Sequence, residues 1–322
     1  MPIPKNPDDI RIGVAGMVEE NGHPLSWSSI INGFNPDEMA KTAYPMIFNY
    51  LSAENRAEFG IPGVRVTHAW CDRPEDAQQL SRASLIPNIV DRPEQMIGSV
   101  DAVLIPTDKG FEHVDRARSF VEAGVPVFID KPLVDREEDL KTFIRWHNEG
   151  AIILSTSMMR YSVEYAQCRA RLCEVGSLRV MILAMAKSWE RYGVHALEGV
   201  YTFLRPGGWE WVVNSGSARA NMVHIHHDSG TDVLIPAVDD MLGGFAHLSL
   251  FGTAGSLSTR TNDGSRFIAF KRQLLDFVHY LRTGRSPVPF EHIVEVMKMV
   301  IAGIRSRDEG GRKVLLSEIR TT

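Results

Sequence analysis

Short apolar segments alternate with amphipathic segments through the first 130 residues of the chain. The pattern predicts strands at 11–15, 64–70, 100–105 and 125–129 and helices at 74–83 and 111–123. Strands that are nearly continuous runs of Val, Ile and Leu, separated by helices, indicate a parallel sheet with helices on both faces. Sheets of this kind bind ligands beyond the carboxyl ends of their strands.

Two further helices are predicted between Gly33 and Gly63, at 36–43 and 45–58. A standard dinucleotide-binding fold reaches its second strand sooner. We therefore interpret residues of about 34–63 as an insertion.

The rest of the chain has a different pattern. Strands are predicted at 178–186, 218–227, 232–238, 245–251 and 256–261, and helices at 135–148, 162–174, 267–283 and 291–308. Turn signals such as Asp228-Ser229-Gly230 separate the strands, which favours antiparallel pairing. We predict an α/β Rossmann-like domain with a parallel sheet over residues 1–133. An α+β domain with a large, mostly antiparallel open sheet follows over residues 134–322.

Composition narrows the class of protein. The 322 residues are 44% hydrophobic and 23% charged, with a net charge of −5, as in an ordinary globular protein. No basic block suggests a nucleic-acid partner. Cys71, Cys168 and Cys173 form neither a disulfide framework nor a zinc motif. Because no signal peptide and no apolar run of about 18 residues is visible, we expect a cytoplasmic protein with no membrane partner.

The loop after the first strand is a candidate for cofactor binding, through Gly13, Gly16, Met17 and Val18. A dinucleotide fingerprint requires G-x-G-x-x-G, so that the backbone can approach a pyrophosphate. Here Gly16 stands at the first glycine and Val18 at the second. Two interpretations stay open: a plain glycine turn, or a longer cofactor loop in which Gly22 supplies the flexibility.

Asp72 follows the second strand, where a Rossmann domain places the carboxylate that binds the adenosine ribose of NAD. The alternative is a helix cap, because Pro74 marks a helix start. Arg73 beside it could pair with the 2′-phosphate of NADP. We expect NAD as the cofactor, with NADP possible.

Two motifs carry candidate acid–base chemistry. Asp130-Lys131-Pro132 follows the strand at 125–129, which puts Lys131 at the carboxyl edge of the sheet and near the domain junction. His195 and Glu198 lie three residues apart at a predicted helix start, so both can face one cleft. Imidazole is suited to proton transfer at a hydroxyl or carbonyl group. The plain alternatives are a surface lysine in a turn and a structural His–Glu pair.

Taken together, these segments resemble the Gfo/Idh/MocA oxidoreductases, named for glucose–fructose oxidoreductase and inositol dehydrogenase. The resemblance covers nearly the whole chain. The matching segments are Ile105-Pro106-Thr107 with His113 (A-T-P…H), Asp130-Lys131-Pro132 (E-K-P), Arg160-Tyr161 (R-F/Y), Gly193-Val194-His195 with Glu198 (G-x-H-x-x-D), and the C-terminal helix pair from Phe277 to Gly311. Asp130 replaces the family's Glu, and Glu198 replaces its Asp.

The resemblance implies an NAD(P)-dependent dehydrogenase acting on a sugar, inositol or related polyol. Lys131 would lie beside the nicotinamide and the substrate hydroxyl, and His195 would accept or donate the proton. Arg160, Tyr161 and Glu198 would bind substrate, whereas Pro106, Thr107, His113 and Asp130 would line the cofactor site. The resemblance also implies a homodimer or homotetramer formed through the open sheet face.

Departures from the family pattern keep two other functions open. The missing second glycine favours a non-catalytic protein that senses a cofactor or sugar. The third hypothesis is a redox-neutral enzyme that keeps its cofactor bound and uses it transiently. The acidic Glu19-Glu20 pair adds negative charge near the expected pyrophosphate site. His224 and His226 share one strand face, so they could bind a metal or substrate, or simply be polar strand residues. We expect no metal. Trp189, Trp209 and Trp211 are candidates for stacking on a sugar or for core packing.

Overall fold

The computed structural model describes residues 3–261 and 263–321. Its first sheet has six parallel strands: β1 (Ile10–Ala15), β2 (Val64–Trp70), β3 (Asn88–Ile89), β4 (Ala102–Ile105), β5 (Val127–Ile129) and β6 (Ile153–Leu154). They lie in the order β3-β2-β1-β4-β5-β6. This is the Rossmann-like order, and it brings the carboxyl ends of β1, β4 and β5 together at one edge.

Helices connect these strands and cover the sheet. They are α1 (His23–Asn32), α2 (Pro36–Met39), α3 (Pro45–Ala53), α4 (Pro74–Ala83), α5 (His113–Glu122) and α6 (Glu137–Asn148). Both α2 and α3 lie between α1 and β2, in the segment that we interpreted as an insertion. The predicted helix at 36–43 is only one turn long, and that at 45–58 ends at Ala53 before a short 3₁₀ turn.

The short strand β6 lies beyond residue 133, where the predicted first domain ends. It pairs with β5 through Val127 and Phe128, so the chain completes the parallel sheet after α6. A two-residue strand leaves no readable alternation of polar and apolar positions, which is why the sequence did not indicate it.

The second sheet has seven strands and follows α7 (Val163–Ala170). The strands are β7 (Leu178–Ala186), β8 (Trp209–Asn214), β9 (Ala220–His227), β10 (Thr231–Val238), β11 (His247–Gly252), β12 (Ser256–Arg260) and β13 (Val314–Leu315). Their order is β12-β11-β7-β10-β9-β8-β13, and only the β7–β10 pair is parallel. The predicted fold class is confirmed. The sequence did not indicate β8 and β13.

Three more helices complete this half: α8 (Val194–Tyr201), α9 (Arg266–Thr283) and α10 (Phe290–Asp308). A column of aromatic rings joins α9 to the first sheet, because Trp27 of α1 stacks on Phe128 of β5 and Phe128 stacks on Phe277 of α9. The column holds α9 against β5 of the first sheet. None of the helices in the described residues could cross a membrane.

Candidate active site

Lys131 and His195 approach each other across the two halves of the chain. Lys131 comes two residues after β5, and His195 is the second residue of α8. Tyr192 is a neighbour of both: its ring centroid lies 5.2 Å from Lys131 Nζ and 5.3 Å from the His195 ring. Both side chains are buried. The two predicted catalytic residues therefore share one interior site, and Lys131 is not a surface turn residue.

His195 is held in a neutral, oriented state. Its Nδ1 lies 2.6 Å from Ser157 Oγ, which also accepts a hydrogen bond from the Met159 amide. Burial, and then the charges of Lys131 and His23, hold the pKa of His195 well below 6.5. When Nδ1 donates to Ser157, the other ring nitrogen is an acceptor, as a general base requires.

Asp130 organises the base of the site. It accepts hydrogen bonds from Asn21 Nδ2 (3.0 Å), His23 Nδ1 (2.5 Å) and the Lys131 amide (2.8 Å). Burial would raise the pKa of this carboxyl group, but the charges of His23 and Lys131 and the hydrogen bonds from His23 and Asn21 lower it overall. Asp130 is therefore a fixed negative charge beside Lys131.

A second carboxylate faces Lys131 from the end of β4. Asp108 Oδ2 lies 3.8 Å from Lys131 Nζ, and Asp108 also accepts a two-pronged hydrogen bond from Arg191. Arg191 belongs to a π-helical turn, Trp189–Gly193, that leads directly into α8. This contact joins the His195 segment to the sheet edge that carries Lys131.

Arg160 and Glu198 form a buried ion pair. Arg160 Nε donates to Glu198 Oε2, and the guanidinium lies over the Tyr201 ring. Nη2 of Arg160 is buried without a hydrogen-bond partner among the described residues. Glu198 thus contacts Arg160, whereas Tyr161 donates to Asp276 Oδ2 of α9 at 2.8 Å.

The loop after β1 departs from a dinucleotide fingerprint. Gly13 lies inside β1, where a Cβ would come 2.6 Å from Met96 Sδ, so this glycine serves strand packing. Met17 and Val18 are buried. At Gly16 the backbone φ is +109°, and a Cβ would lie 2.9 Å from Thr107. Gly16 therefore lets Thr107 and the Arg116 guanidinium approach the backbone more closely than a side chain at this position would allow.

Asp72 does not cap the following helix. The residue at the N-cap of α4 is Arg73, and no side chain caps that helix. Asp72 instead accepts hydrogen bonds from both Nη atoms of Arg116, at 3.2 and 3.0 Å. Arg73 pairs with Asp76 on the protein surface. Asp72 thus follows β2 and is paired with Arg116 rather than capping α4.

His113 braces the sheet edge from within. Its ring nitrogens lie 2.9 Å from the Leu133 carbonyl oxygen and 2.8 Å from that of Thr107. The ring ties the loop after β4, which begins at Pro106, to the loop that carries Lys131. His113 is completely buried, so it positions these loops rather than facing a ligand.

A groove of about 480 Å³ opens beside Asp72 at the carboxyl end of β1 and β2. Its lining includes Ala15, Trp70, Asp72, Pro93, Glu94, Phe111, Glu112, Asp115 and Arg116. The sequence pattern did not indicate Asn21, His23, Asp108, Ser157, Arg116 or Arg191 as site residues. Only Asp108 had a local signal, because it directly follows the Pro106-Thr107 segment.

The other candidates serve the fold in this structure. His224 and His226 both contact Asp232 Oδ1, and no cluster in residues 3–261 and 263–321 has three or more side chains placed to hold a metal. Trp189 is buried and donates to the Val300 carbonyl, while Trp209 packs in the core. The ring of Trp211 stacks on His226 at 5.3 Å.

Comparison with known proteins agrees with this geometry. Residues 46–156 match the Gfo/Idh/MocA model, described as an oxidoreductase family with an NAD-binding Rossmann fold. None of the curated proteins matches the sequence.

Solved structures share the fold over almost the full length of the chain. A probable dehydrogenase from Thermotoga maritima is 15% identical, with 97% of this chain and 100% of that one covered and a TM-score of 0.73. A myo-inositol dehydrogenase from Corynebacterium glutamicum is 17% identical (96% and 99% covered, TM-score 0.72). A scyllo-inositol dehydrogenase from Lactobacillus casei with bound NAD(H) and scyllo-inositol is 14% identical (96% and 99% covered, TM-score 0.72). The chain thus matches the Gfo/Idh/MocA model over residues 46–156 and shares the fold of these dehydrogenases over almost its full length.

Proposed function

We propose that this protein is an NAD-dependent dehydrogenase that transfers hydride between nicotinamide and a hydroxyl or carbonyl carbon of a sugar, an inositol or a sugar derivative. The observation that carries the proposal is a buried imidazole with a pKa well below 6.5, next to Lys131 at the carboxyl edge of a Rossmann sheet. A neutral base at this edge is suited to taking a proton from an alcohol. The inositol dehydrogenases that share the fold support the substrate class.

The residues present fit a dinucleotide. Gly16 keeps the backbone at the end of β1 free of a side chain, and Asp72, which now pairs with Arg116 at the end of β2, would accept hydrogen bonds from the ribose hydroxyls. The groove beside them is lined by four carboxylates and one arginine, and Arg73 is engaged by Asp76. An additional 2′-phosphate would be repelled there, which favours NAD over NADP. Pro106, Thr107 and Lys131 would border the nicotinamide end.

When bound, nicotinamide supplies or accepts the hydride. Lys131 Nζ would donate a hydrogen bond to the substrate oxygen and stabilise negative charge as it develops there. His195 would take the hydroxyl proton on its free ring nitrogen in oxidation and return it in reduction. Ser157 would hold the other nitrogen throughout. Asp108 would keep the Lys131 ammonium group in place, and Asp130 accepts a hydrogen bond from the Lys131 backbone amide.

Arg160, Tyr161 and Glu198 remain proposed substrate contacts. The buried Nη2 of Arg160 has N–H groups without a hydrogen-bond partner among the described residues. The neighbouring Glu198 holds the guanidinium in one orientation. A guanidinium donor of this kind can bind a polyol hydroxyl. Tyr161 would contact the substrate from the position in which its hydrogen bond to Asp276 holds it.

Activity measurements on variants test the mechanism. The wild type, Lys131→Ala, His195→Ala and the exposed control His247→Ala would be assayed for NADH formation with NAD and a panel of inositols and hexoses. We expect the first two variants to lose turnover while circular dichroism shows an intact fold, and the control to retain it. Full activity in both Lys131→Ala and His195→Ala would refute the acid–base pair. Absence of cofactor binding by the folded wild type would favour a non-catalytic sensor.

We also propose a homo-oligomer formed through the outer face of the second sheet. Met222, Leu234 and Phe251 are exposed there, on the side opposite the helices. Light scattering of the purified protein would show the mass of a monomer if this is wrong.

A cytoplasmic location stays a prediction.

A further inference from the structure

A second ammonium group, that of Lys187, lies beside the two proposed catalytic residues. Lys187 directly follows β7, and Tyr192 belongs to the π-helical turn that leads into α8. Lys187 Nζ donates a hydrogen bond to the Tyr192 hydroxyl at 2.9 Å and lies 4.7 Å from the centroid of that ring. Lys131 Nζ and the His195 ring lie 5.2 and 5.3 Å from the same centroid. Lys187 and Tyr192 therefore border the site where the substrate would react.

The charge of Lys187 has no counter-ion in the protein. Among the described residues, its Nζ pairs with no carboxylate, and the Tyr192 hydroxyl is its hydrogen-bond partner. Asp108 contacts both Lys131 and Arg191, so the negative charge nearest to the proposed catalytic lysine is already shared. A partly buried cation is stabilised when an anion pairs with it. The site thus keeps one positive charge for which the chain itself supplies no partner.

The hydroxyl of Tyr192 adds a donor at the same place. It accepts from Lys187, and no described residue accepts from it in turn. A phenol oxygen can accept one hydrogen bond and donate another. Tyr192 and Lys187 are both partly exposed, whereas Lys131 and His195 are buried. A ligand can therefore reach the ammonium group and the hydroxyl together from the open side of the site.

The backbone holds Lys187 in a conformation that lysine rarely adopts. Its φ is +65°, in the left-handed region that favours glycine. Its amide donates to the Val238 carbonyl at 3.1 Å, which ties the residue to the end of β10. Non-glycine residues with a backbone of this kind cluster at functional sites. The presence of lysine, where glycine would relieve the strain, favours a role for the ammonium group.

We infer that Lys187 and Tyr192 bind an anionic group of the substrate, which narrows the substrate class to sugar derivatives that carry a carboxylate or a phosphate. This inference rests on the proposed function. The anion would accept one charge-assisted hydrogen bond from Lys187 Nζ and another hydrogen bond from the Tyr192 hydroxyl. The reacting hydroxyl carbon would stay beside Lys131 and His195, so the hydride and proton transfers are unchanged.

Steady-state kinetics on matched compounds test the inference. The wild type and its variants would be assayed with NAD and hexoses of the gluco, galacto and manno series, the matching hexuronates and the matching hexose 6-phosphates. The variants are Lys187→Gln, Lys187→Arg, Tyr192→Phe and the control Lys313→Gln. Lys313 is an exposed lysine that also lies over an aromatic ring, 4.2 Å from the centroid of Trp211, at the far edge of the second sheet.

We expect the wild type to prefer one anionic class over the neutral hexoses by about tenfold or more in kcat/KM, which also tells carboxylate from phosphate. Lys187→Gln should lose most of this preference, mainly through KM, and should keep kcat/KM for neutral hexoses within about twofold. Lys187→Arg and Tyr192→Phe should each keep part of the preference. Lys313→Gln should match the wild type.

The outcomes separate this inference from the proposed function. A wild type that turns over none of the compounds would contradict the proposed function, and the inference with it. If the wild type turns over neutral hexoses as well as their anionic counterparts, only the inference is wrong. An anionic preference that Lys187→Gln retains would also overturn it, because the anion would then bind elsewhere. So would an equal loss on neutral and anionic compounds, since Lys187 would then act through Tyr192 on the catalytic pair.

A second variant keeps the test decisive if Lys187→Gln proves unfolded by circular dichroism. Tyr192→Phe keeps the aromatic ring and removes only the hydroxyl. It must then lower kcat/KM for the anionic compound more than for its neutral counterpart. Equal effects on the two would overturn the inference.

Discussion

Burial of the neutral His195 ring makes the stability of the folded protein depend on pH. In the unfolded chain, a histidine titrates at about 6.5. In the folded chain, the pKa of His195 is held well below that value by burial and by the charges of Lys131 and His23. Below pH 6.5 the unfolded chain therefore binds one proton that the folded chain does not. The neutral His195 ring therefore makes its full contribution to the free energy of unfolding above pH 6.5. That contribution is lost as the pH falls below this value.

The magnitude follows from linkage for a single group. For an imidazole that stays unprotonated in the folded protein, the free energy of unfolding is lower than at neutral pH by about 1.4 kcal/mol at pH 5.5 and by about 2 kcal/mol at pH 5.0. Other histidines whose pKa is lowered by burial, such as His68 and His292, add their own losses. Those losses are common to the wild type and to a His195 variant, so a comparison of the two isolates His195.

Urea unfolding at pH 7.5 and pH 5.5 measures this difference. His195→Gln removes the titrating ring and keeps a side chain able to hydrogen-bond with Ser157. We expect the wild type to lose about 1.4 kcal/mol more than His195→Gln between the two pH values. The exposed His247→Gln is the matched control and should lose as much as the wild type. Equal losses in the wild type and His195→Gln would refute the view that the ring is buried and neutral.

Two further predictions concern Gly16 and the buried ion pair. Gly16→Ala should cost about 1–3 kcal/mol of unfolding free energy and abolish NADH binding, because its φ is positive and Thr107 lies in the way of a Cβ. Gly98→Ala, with positive φ but open surroundings, should show a similar cost by urea unfolding and unchanged NADH fluorescence; loss of binding there would contradict the steric argument. Glu198→Ala should cost about 3–5 kcal/mol, since it leaves the Arg160 charge buried and unpaired, and adding Arg160→Met should recover part of it. A cost below about 1 kcal/mol for Glu198→Ala would contradict the buried pair.

The candidate site was predictable where a residue has a fixed position on a regular element. Lys131 follows a fully apolar strand, so its place at the sheet edge could be inferred from strand order alone. His195 begins a helix, and its motif spacing indicated a site. Arg116 gave no such signal, since an arginine on an amphipathic helix is usually a solvated surface residue. Its approach to Gly16 depends on how α5 packs beside β1, which no local pattern records.

The sequence by itself determined the longer strands and the class of each sheet, because strand and helix periodicities are local properties of side-chain spacing. It also determined that Gly16, Asp72, Lys131 and His195 would stand at strand ends or helix starts. The tertiary structure alone decided which charges neighbour these groups. Asp108 meets Lys131 from one strand end, and the His23 ring reaches Asp130 after a loop. Electrostatic energy depends on distance through space and on burial, so the pKa of His195 is a property of the packed molecule.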